Sequence, residues 1–298
     1  MHTPSKFLIL ALTALLTVSC DGLSASQRKQ LAAVAKEAIS QVATEKESSD
    51  KQQRQDAEQK SATDSSDGLP AEGLEIPATN GSSELILHRE GYTLSYNTST
   101  RLPNWVAWHL TTDHTKGNAK RGDVEFQEDT DVPSPRANTT DYSRSGYDRG
   151  HMCPAGDNKW SLEAMEQSFL MTNICPQAPS LNRGDWNEME QACRRWAKRE
   201  GGLYIVCGPI LYKQKHKTIG KNKVTVPEAF FKVVLSMGKE PKAIGFIYKN
   251  DDGNRPMGDY VNTVDQVERI TGIDFFPALP DDIEKQVESH SDLSQWTD

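Results

Sequence analysis

Trp186-Asn-Glu-Met-Glu-Gln-Ala-Cys-Arg-Arg-Trp-Ala-Lys-Arg199, closed by Gly201-Gly202 and followed by Leu203-Tyr-Ile-Val-Cys-Gly208, sets the architecture. Trp186, Met189, Cys193, Trp196 and Ala197 recur at three- and four-residue steps, the stripe of a helix with one buried face. The glycine pair stops that helix. The run 203–208 has the length and unbroken apolarity of a buried strand. Working outward, 229–235 and 243–248 read as two more strands, and 264–270 as a late helix. Upstream, 85–87, 92–96 and 105–110 read as short strands. Strands and helices mix without strict alternation, which predicts an α+β fold. No internal repeat is present.

The same helix carries a carboxylate on its apolar side. Glu190 lies four residues after Trp186 and one after Met189. A carboxylate facing inward is costly unless it is paired or near a cation. Arg194, one turn on, is one partner. A hydrated metal ion held by Asn182 is another. Asn182 stands in Leu181-Asn-Arg-Gly184, just ahead of the helix, and Thr172-Asn-Ile174 places a second amide near a strand. Further upstream, Tyr147-Asp-Arg-Gly-His-Met-Cys-Pro154 sets an imidazole after a glycine and a charged pair. Histidine is suited to take a proton near neutral pH. The glycine lets the backbone approach a neighbour closely. Taken alone, the string fits a structural histidine equally well.

Taken together, the strings resemble the DNA/RNA non-specific endonucleases. The matching residues are Asp148-Arg-Gly-His151, Thr172-Asn-Ile-Cys-Pro-Gln177, and Leu181-Asn-Arg-Gly-Asp-Trp-Asn187 with Met189-Glu190. Looser landmarks follow at Gly208-Pro-Ile210, Val226-Pro227 with Phe230-Phe-Lys232, and Thr271-Gly-Ile-Asp-Phe275, so the likeness spans about 85–280. The resemblance implies a ββα-metal fold with a central, mostly antiparallel sheet flanked by helices. It implies His151 as general base and Asn182 as the single protein ligand of a divalent ion, Mg²⁺ with Mn²⁺ as a substitute. Glu190 would hold that ion's waters, and Asn173 would orient His151 or the scissile phosphate. Arg121 would contact the phosphate, Arg149 and Arg183 would bind substrate, and Asp148 would support the site. The implied substrates are DNA and RNA.

The chemistry of phosphodiester hydrolysis agrees with this set. It requires a base for water, a cation for the added negative charge and stabilisation of the departing oxygen. A two-metal centre uses several clustered carboxylates. One glutamate and two asparagines suit a single hydrated Mg²⁺ better, because that ion keeps most of its waters. A neutral His151 sets an expected loss of activity below about pH 6.5. Contacts made to phosphates rather than base edges predict little sequence specificity. Two other readings stand beside this one: a catalytically silent nucleic-acid-binding lipoprotein, and a phosphodiesterase acting on a smaller substrate.

The net charge of −8 over 298 residues excludes a chain that binds nucleic acid by bulk charge alone. The charge is unevenly placed. Residues 183–249 hold 14 basic and 6 acidic side chains, and 251–298 hold 3 and 12. The lysines of 213–223 read either as a solvated loop or as a platform for a polyanion. The acidic end is compatible with such a substrate only if it faces away from the site.

Lys6 precedes an apolar run at 7–18. That run is too short to span a bilayer and has the length of a signal-peptide core. Thr17-Val-Ser-Cys20 then predicts a lipoprotein signal, with Cys20 lipidated and anchoring the chain to a membrane. Cleavage after Ser19 is the alternative. Residues 21–80 contain no Phe, Trp or Tyr and read as a flexible tether, leaving 81–298 as the catalytic domain. Export bears on the thiols, because Cys153, Cys175, Cys193 and Cys207 are then an even set in an oxidising compartment. No Cys-x-x-Cys pair favours zinc. If Cys153 shares a strand face with His151, and Cys175 with Asn173, then Cys153–Cys175 is one disulfide and Cys193–Cys207 the other. Buried free thiols are the competing expectation.

Overall fold

Alternate residues of the central strands serve two separate cores. In the computed structural model, which describes residues 73–78, 84–251 and 253–297, the strands are β1 (Leu85–His88), β2 (Thr93–Asn97), β3 (Leu102–Leu110), β4 (Asp148–His151), β5 (Ile174–Gln177), β6 (Leu203–Ile210), β7 (Thr218–Ile219), β8 (Val224–Thr225), β9 (Ala229–Ser236), β10 (Lys242–Lys249) and β11 (Val261–Asn262). Among the described residues the α-helices are α1 (Leu162–Ser168), α2 (Pro179–Arg183), α3 (Asp185–Glu200), α4 (Val264–Thr271) and α5 (Asp281–Glu288). The main sheet runs β1-β2-β3-β6-β9-β10-β11, with every neighbouring pair antiparallel. Two small ribbons, β4-β5 and β7-β8, stand apart from it. The α+β class expected from the sequence is the class observed.

Period-two alternation assigns the two faces. Ile205 and Cys207 of β6, with Phe230 and Val234 of β9, face a core closed by Trp186, Met189, Cys193, Trp196 and Ala197 of α3. Val206, Phe231, Val233 and Leu235 face the other core, closed by Val264, Val267, Val287 and the pair Phe275-Phe276. Each fully buried large side chain contributes about 1.5–3 kcal/mol of transfer free energy. Helix α3 ends at Gly201, whose φ of +86° is the left-handed conformation that favours glycine at such a stop. The acidic helices α4 and α5 lie on the face opposite α3.

The domain begins earlier than residue 81. Leu74 is buried with Trp105 and Phe275 in the second core, and Ala78 bridges Asp274. The expected signal, Cys20 and the tether up to residue 72 lie outside the described residues. Among the described residues no helix is long and apolar enough to cross a membrane.

The expected disulfides are absent. Cys153, Cys175, Cys193 and Cys207 are four buried free thiols. The ladder explains the first pair: Cys175 stands opposite Gly150, three residues before Cys153. Cys153 lies past the end of β4, so the two cysteines do not stand opposite each other in the ladder. Three of the four sulfurs have other polar or sulfur neighbours. Cys153 accepts from Asn158 Nδ2 at 3.4 Å, Cys207 donates to the Met152 carbonyl at 3.3 Å, and Cys193 lies 3.6 Å from the Met189 sulfur.

Candidate active site

The chain between β3 and β6 carries the whole site, because those two strands are neighbours in the sheet and everything between them is laid over one face. Within it, β4 pairs with β5 in the register Gly150↔Cys175 and His151↔Ile174. Gly150 is required there: a Cβ would meet the Gln177 side chain at 2.1 Å. Trp186 Nε1 donates to the His151 carbonyl at 3.2 Å, which ties the ribbon to α3. Asn173 fixes the turn after His151. Its Oδ1 accepts from Cys153 N at 2.9 Å, and its Nδ2 donates to the Cys153 and Ser168 carbonyls at 2.9 and 2.8 Å.

His151 is 5% exposed and packed between Phe126 and Phe169, with ring centroids 5.2 and 4.9 Å away. Burial first, and the Arg121 charge second, press its imidazole down to about 3. The ring is therefore neutral at any ordinary pH, and the expected acid limit near pH 6.5 does not arise from it. Its Nε2 has no hydrogen-bond partner among the described residues. The ring borders a cavity of about 470 Å³ lined also by Arg121, Asn182, Arg183, Glu190 and Arg194.

Asn182 is placed by Asp148. Its Nδ2 donates to Asp148 Oδ2 at 3.0 Å, and Arg183 donates to both oxygens of the same carboxylate at 2.7 Å. The hydrogen bonds from Arg183, ahead of the one from Asn182, hold Asp148 below the usual carboxylate range. With the NH₂ committed, the Asn182 Oδ1 is the side of the amide left to accept. Glu190 is only loosely paired: Arg194 stands 4.0 Å from it and binds Asp157 at 2.8 Å instead. Burial pushes the Glu190 carboxyl up to about 7, against the pull of Lys232, Arg194 and Arg121. An amide oxygen, a carboxylate and open volume between them are hard oxygen donors, and they fit a hydrated Mg²⁺-type cation. Among the described residues no Cys–His group gathers for zinc.

The structure brings together His151, Asn182, Glu190, Arg121 and Arg183. It corrects two other expectations. Asn173 is wholly buried and bonded to backbone, so of its two expected roles it holds the turn after His151 and does not touch a scissile phosphate. Arg149 is not among the residues lining the cavity, and donates to the Thr139 carbonyl at 3.3 Å with its guanidinium 5.2 Å from the Phe126 ring centroid. Sequence reasoning missed Asp157, which is buried in the turn Ala155–Asp157 and takes Arg194 from Glu190. It also assigned no role to Lys232.

The comparisons with known proteins agree with the geometry. A family model for DNA/RNA non-specific endonucleases matches residues 71–282. The mitochondrial nuclease EXOG of Xenopus laevis is 37% identical over 207 residues, covering 64% of this chain and 58% of that protein. A nuclease of Nostoc sp. is 35% identical over 223 residues, covering 70% and 78%. The crystal structure of the EndoG/EndoGI complex aligns with a TM-score of 0.62 and 30% identity, over 65% of this chain and 86% of that one. The chain spans less than two thirds of the length of the EXOG relatives it matches. The antiparallel sheet with β4, β5 and α3 laid over it is the ββα-metal nuclease fold, and the chain belongs to the DNA/RNA non-specific endonuclease family.

Proposed function

We propose that the protein is a metal-dependent endonuclease that hydrolyses phosphodiester bonds in DNA and RNA with little sequence specificity. The observation that carries this reading is the single cavity bordered by His151, Arg121, Asn182 and Glu190, beside which the His151 Nε2 is buried without a hydrogen-bond partner among the described residues. His151 is neutral and takes the proton of the attacking water, with its ring direction set by Phe126 and Phe169. Arg121 and Arg183 draw the phosphate into the cavity. Asp148 aims the Asn182 amide, and Glu190 orients water on the opposite wall. A hydrated Mg²⁺ or Mn²⁺ held by Asn182 would supply positive charge for the developing oxyanion and the departing oxygen.

Lys213, Lys215 and Lys217 border a second hollow with Tyr147 and Tyr212, next in the chain to Asp148. Lys217 lies 4.7 Å from the Tyr147 ring centroid. This flank suits a polyanion strand, through charge and base stacking. The test is cleavage of plasmid DNA and of RNA, with and without EDTA. Loss of both activities in EDTA is expected. Binding without cleavage would favour a silent binder, and cleavage of small phosphodiesters alone would favour the smaller-substrate reading.

The sequence at 6–20 further supports export and a lipid anchor on Cys20. Mass spectrometry of the mature N-terminus is expected to find an acylated Cys20. An unmodified terminus beginning at Cys20 would show simple cleavage after Ser19.

A further inference from the structure

The second core is walled by acids that the chain does not balance. On α4, Asp265 and Glu268 are three residues apart and share one side of the helix. On α5, Glu284 and Glu288 are four apart and share a side in the same way. The two helices meet over the far face of the sheet, where Val264, Val267 and Val287 enter one core. There, one carboxylate oxygen from each of Asp265, Glu268 and Glu288 lies within 4.8 Å of the other two. Among the described residues, none of the three forms an ion pair with Lys, Arg or His.

Glu288 separates this group from ordinary surface acids. It is 6% exposed, and its Oε1 is buried without a hydrogen-bond partner among the described residues. A buried carboxylate is costly unless a donor or a cation meets it. Its near neighbours in the group are two more carboxylates, which supply neither. Both of those are held by their own element. A capping box between Thr263 and Gln266 fixes the first turn of α4, which carries Asp265. Glu268 Oε1 accepts from Phe275 N at 2.8 Å, which ties α4 to the loop that follows it.

Three carboxylates are hard oxygen donors, and their spacing selects among hard cations. Ca²⁺ takes oxygens at about 2.3–2.6 Å and binds carboxylates through one or both oxygens. Oxygens around one such ion therefore stand up to about 5 Å apart. Mg²⁺ holds its ligands at about 2.0–2.1 Å and keeps several waters, so a cage of three acids suits it less. Structural zinc sites draw on Cys and His, and the group contains neither.

We propose that Asp265, Glu268 and Glu288 bind a structural Ca²⁺ ion that clasps α4 to α5 on the face of the sheet opposite the His151 cavity. Glu288 Oε1 is the buried ligand. Asp265 and Glu268 are partly exposed, so water completes the coordination on their side. The ion joins the two helices that close the second core, and it acts on stability rather than on phosphodiester chemistry. The inference does not depend on the nuclease reading.

The test is calorimetric titration of CaCl₂ into the EDTA-stripped full chain, in an Asn182→Ala background so that the His151 cavity does not take the ion. One site per chain is expected. Ca²⁺ at about a hundred times its Kd should raise the melting temperature by about 5–10 °C. Adding Glu288→Gln should weaken Ca²⁺ binding by about tenfold or more and remove most of that rise. Adding Asp282→Asn instead, an exposed acid on the same helix, should leave both unchanged. Neither heat nor a melting shift up to about 10 mM Ca²⁺, above the range of the weakest extracellular sites, overturns the proposal. An equal shift with and without Glu288→Gln places the ion elsewhere and overturns it too. A response to MgCl₂ equal to that to CaCl₂ overturns the choice of ion. If Glu288→Gln fails to fold, Asp265→Asn replaces it with the same expectation and the same power to refute. Wild-type protein that binds Ca²⁺ here but cleaves no nucleic acid would overturn the nuclease reading alone.

Discussion

The two faces of the main sheet both bury carboxylates, and they neutralise them differently. On the α3 face, burial raises Glu190 to about 7 while Lys232, Arg194 and Arg121 pull it back. On the far face, burial raises Glu288 to about 9, with Glu268, Glu284, Asp274 and Asp265 pushing the same way. Ligand oxygens of Asp265, Glu268 and Glu288 lie within 4.8 Å of one another. No cation figures among the groups that act on Glu288. Without a bound cation, a proton neutralises the carboxyl there. On the α3 face, fixed cations lower the buried carboxyl part of the way back. Built-in counter-charge thus marks the working face more sharply than burial does.

The largest expected effect separates the faces outright. His151→Ala should lower cleavage by about 10²–10⁴-fold, the usual worth of a positioned base. Glu288→Gln, on the far face, should leave turnover at the wild-type level. Steady-state rates on plasmid DNA check both. Wild-type turnover in His151→Ala would remove the base from this face and the comparison with it.

The next effect concerns metal and pH. Asn182→Ala and Glu190→Gln should each weaken Mg²⁺-dependent cleavage by about 10–100-fold, with Glu190→Gln partly restored by more metal. Because His151 is held neutral, the acid limb of the rate profile should follow Glu190 and fall as pH drops through about 7. Glu190→Gln should retain residual activity without that limb. A limb that persists in the variant would assign it to another group.

Much of this was legible in the sequence, for identifiable reasons. Strands β1, β2, β3, β6, β9 and β10 and helix α3 announce themselves through apolar runs and a 3.6-residue stripe, whereas the two-residue β11 does not. Helices α1 and α2 have only seven and five residues. They are too short to show a period in a window of about 11–18 residues. Strand β4, Asp-Arg-Gly-His, has no strand-like composition and exists because β5 pairs with it. His151, Asn182, Glu190 and Arg121 were legible through the order of their strings. The roles of Asn173 and Arg149 were not, because a single step along a strand decides whether a side chain meets the cavity or the core. Lys232 and Asp157 carry no local signal: their neighbours arrive from other strands and helices.

A smaller effect sharpens the comparison through stability. The folded Glu288 carboxyl sits at about 9, far above its ordinary value of 4.5. The folded state therefore binds more protons than the unfolded state between those values, and stability falls as pH rises across that window. Glu288→Gln removes the titrating group. Near pH 8 in EDTA it should raise the melting temperature by about 2–4 °C, the equivalent of about 1 kcal/mol. Near pH 4 it should change little. A variant less stable than wild type at pH 8 in EDTA would show that the far face draws on the Glu288 charge.

The smallest expected effect is none at all, and it concerns the four thiols. All lie in the core that joins the sheet to α3. Burial pushes Cys193 and Cys207 up to about 12, and raises Cys153 and Cys175 well above the usual thiol range. The thiolate is the reactive form, so these cysteines should be inert in the folded protein. Dithiothreitol should change neither cleavage rate nor melting temperature. A thiol reagent should label none of the four until denaturant is added, and all four afterwards without reduction. An oxidising compartment would not alter this, because a disulfide forms only where two sulfurs can meet. The ladder keeps Cys153 three positions from the partner of Cys175, and Cys207 is turned to the Met152 carbonyl instead of Cys193. Peptide mapping that recovers a Cys153–Cys175 or Cys193–Cys207 link from the native protein would require β4, β5 or α3 to sit differently over the sheet. The His151 and Glu190 geometry would then have to be redrawn with them.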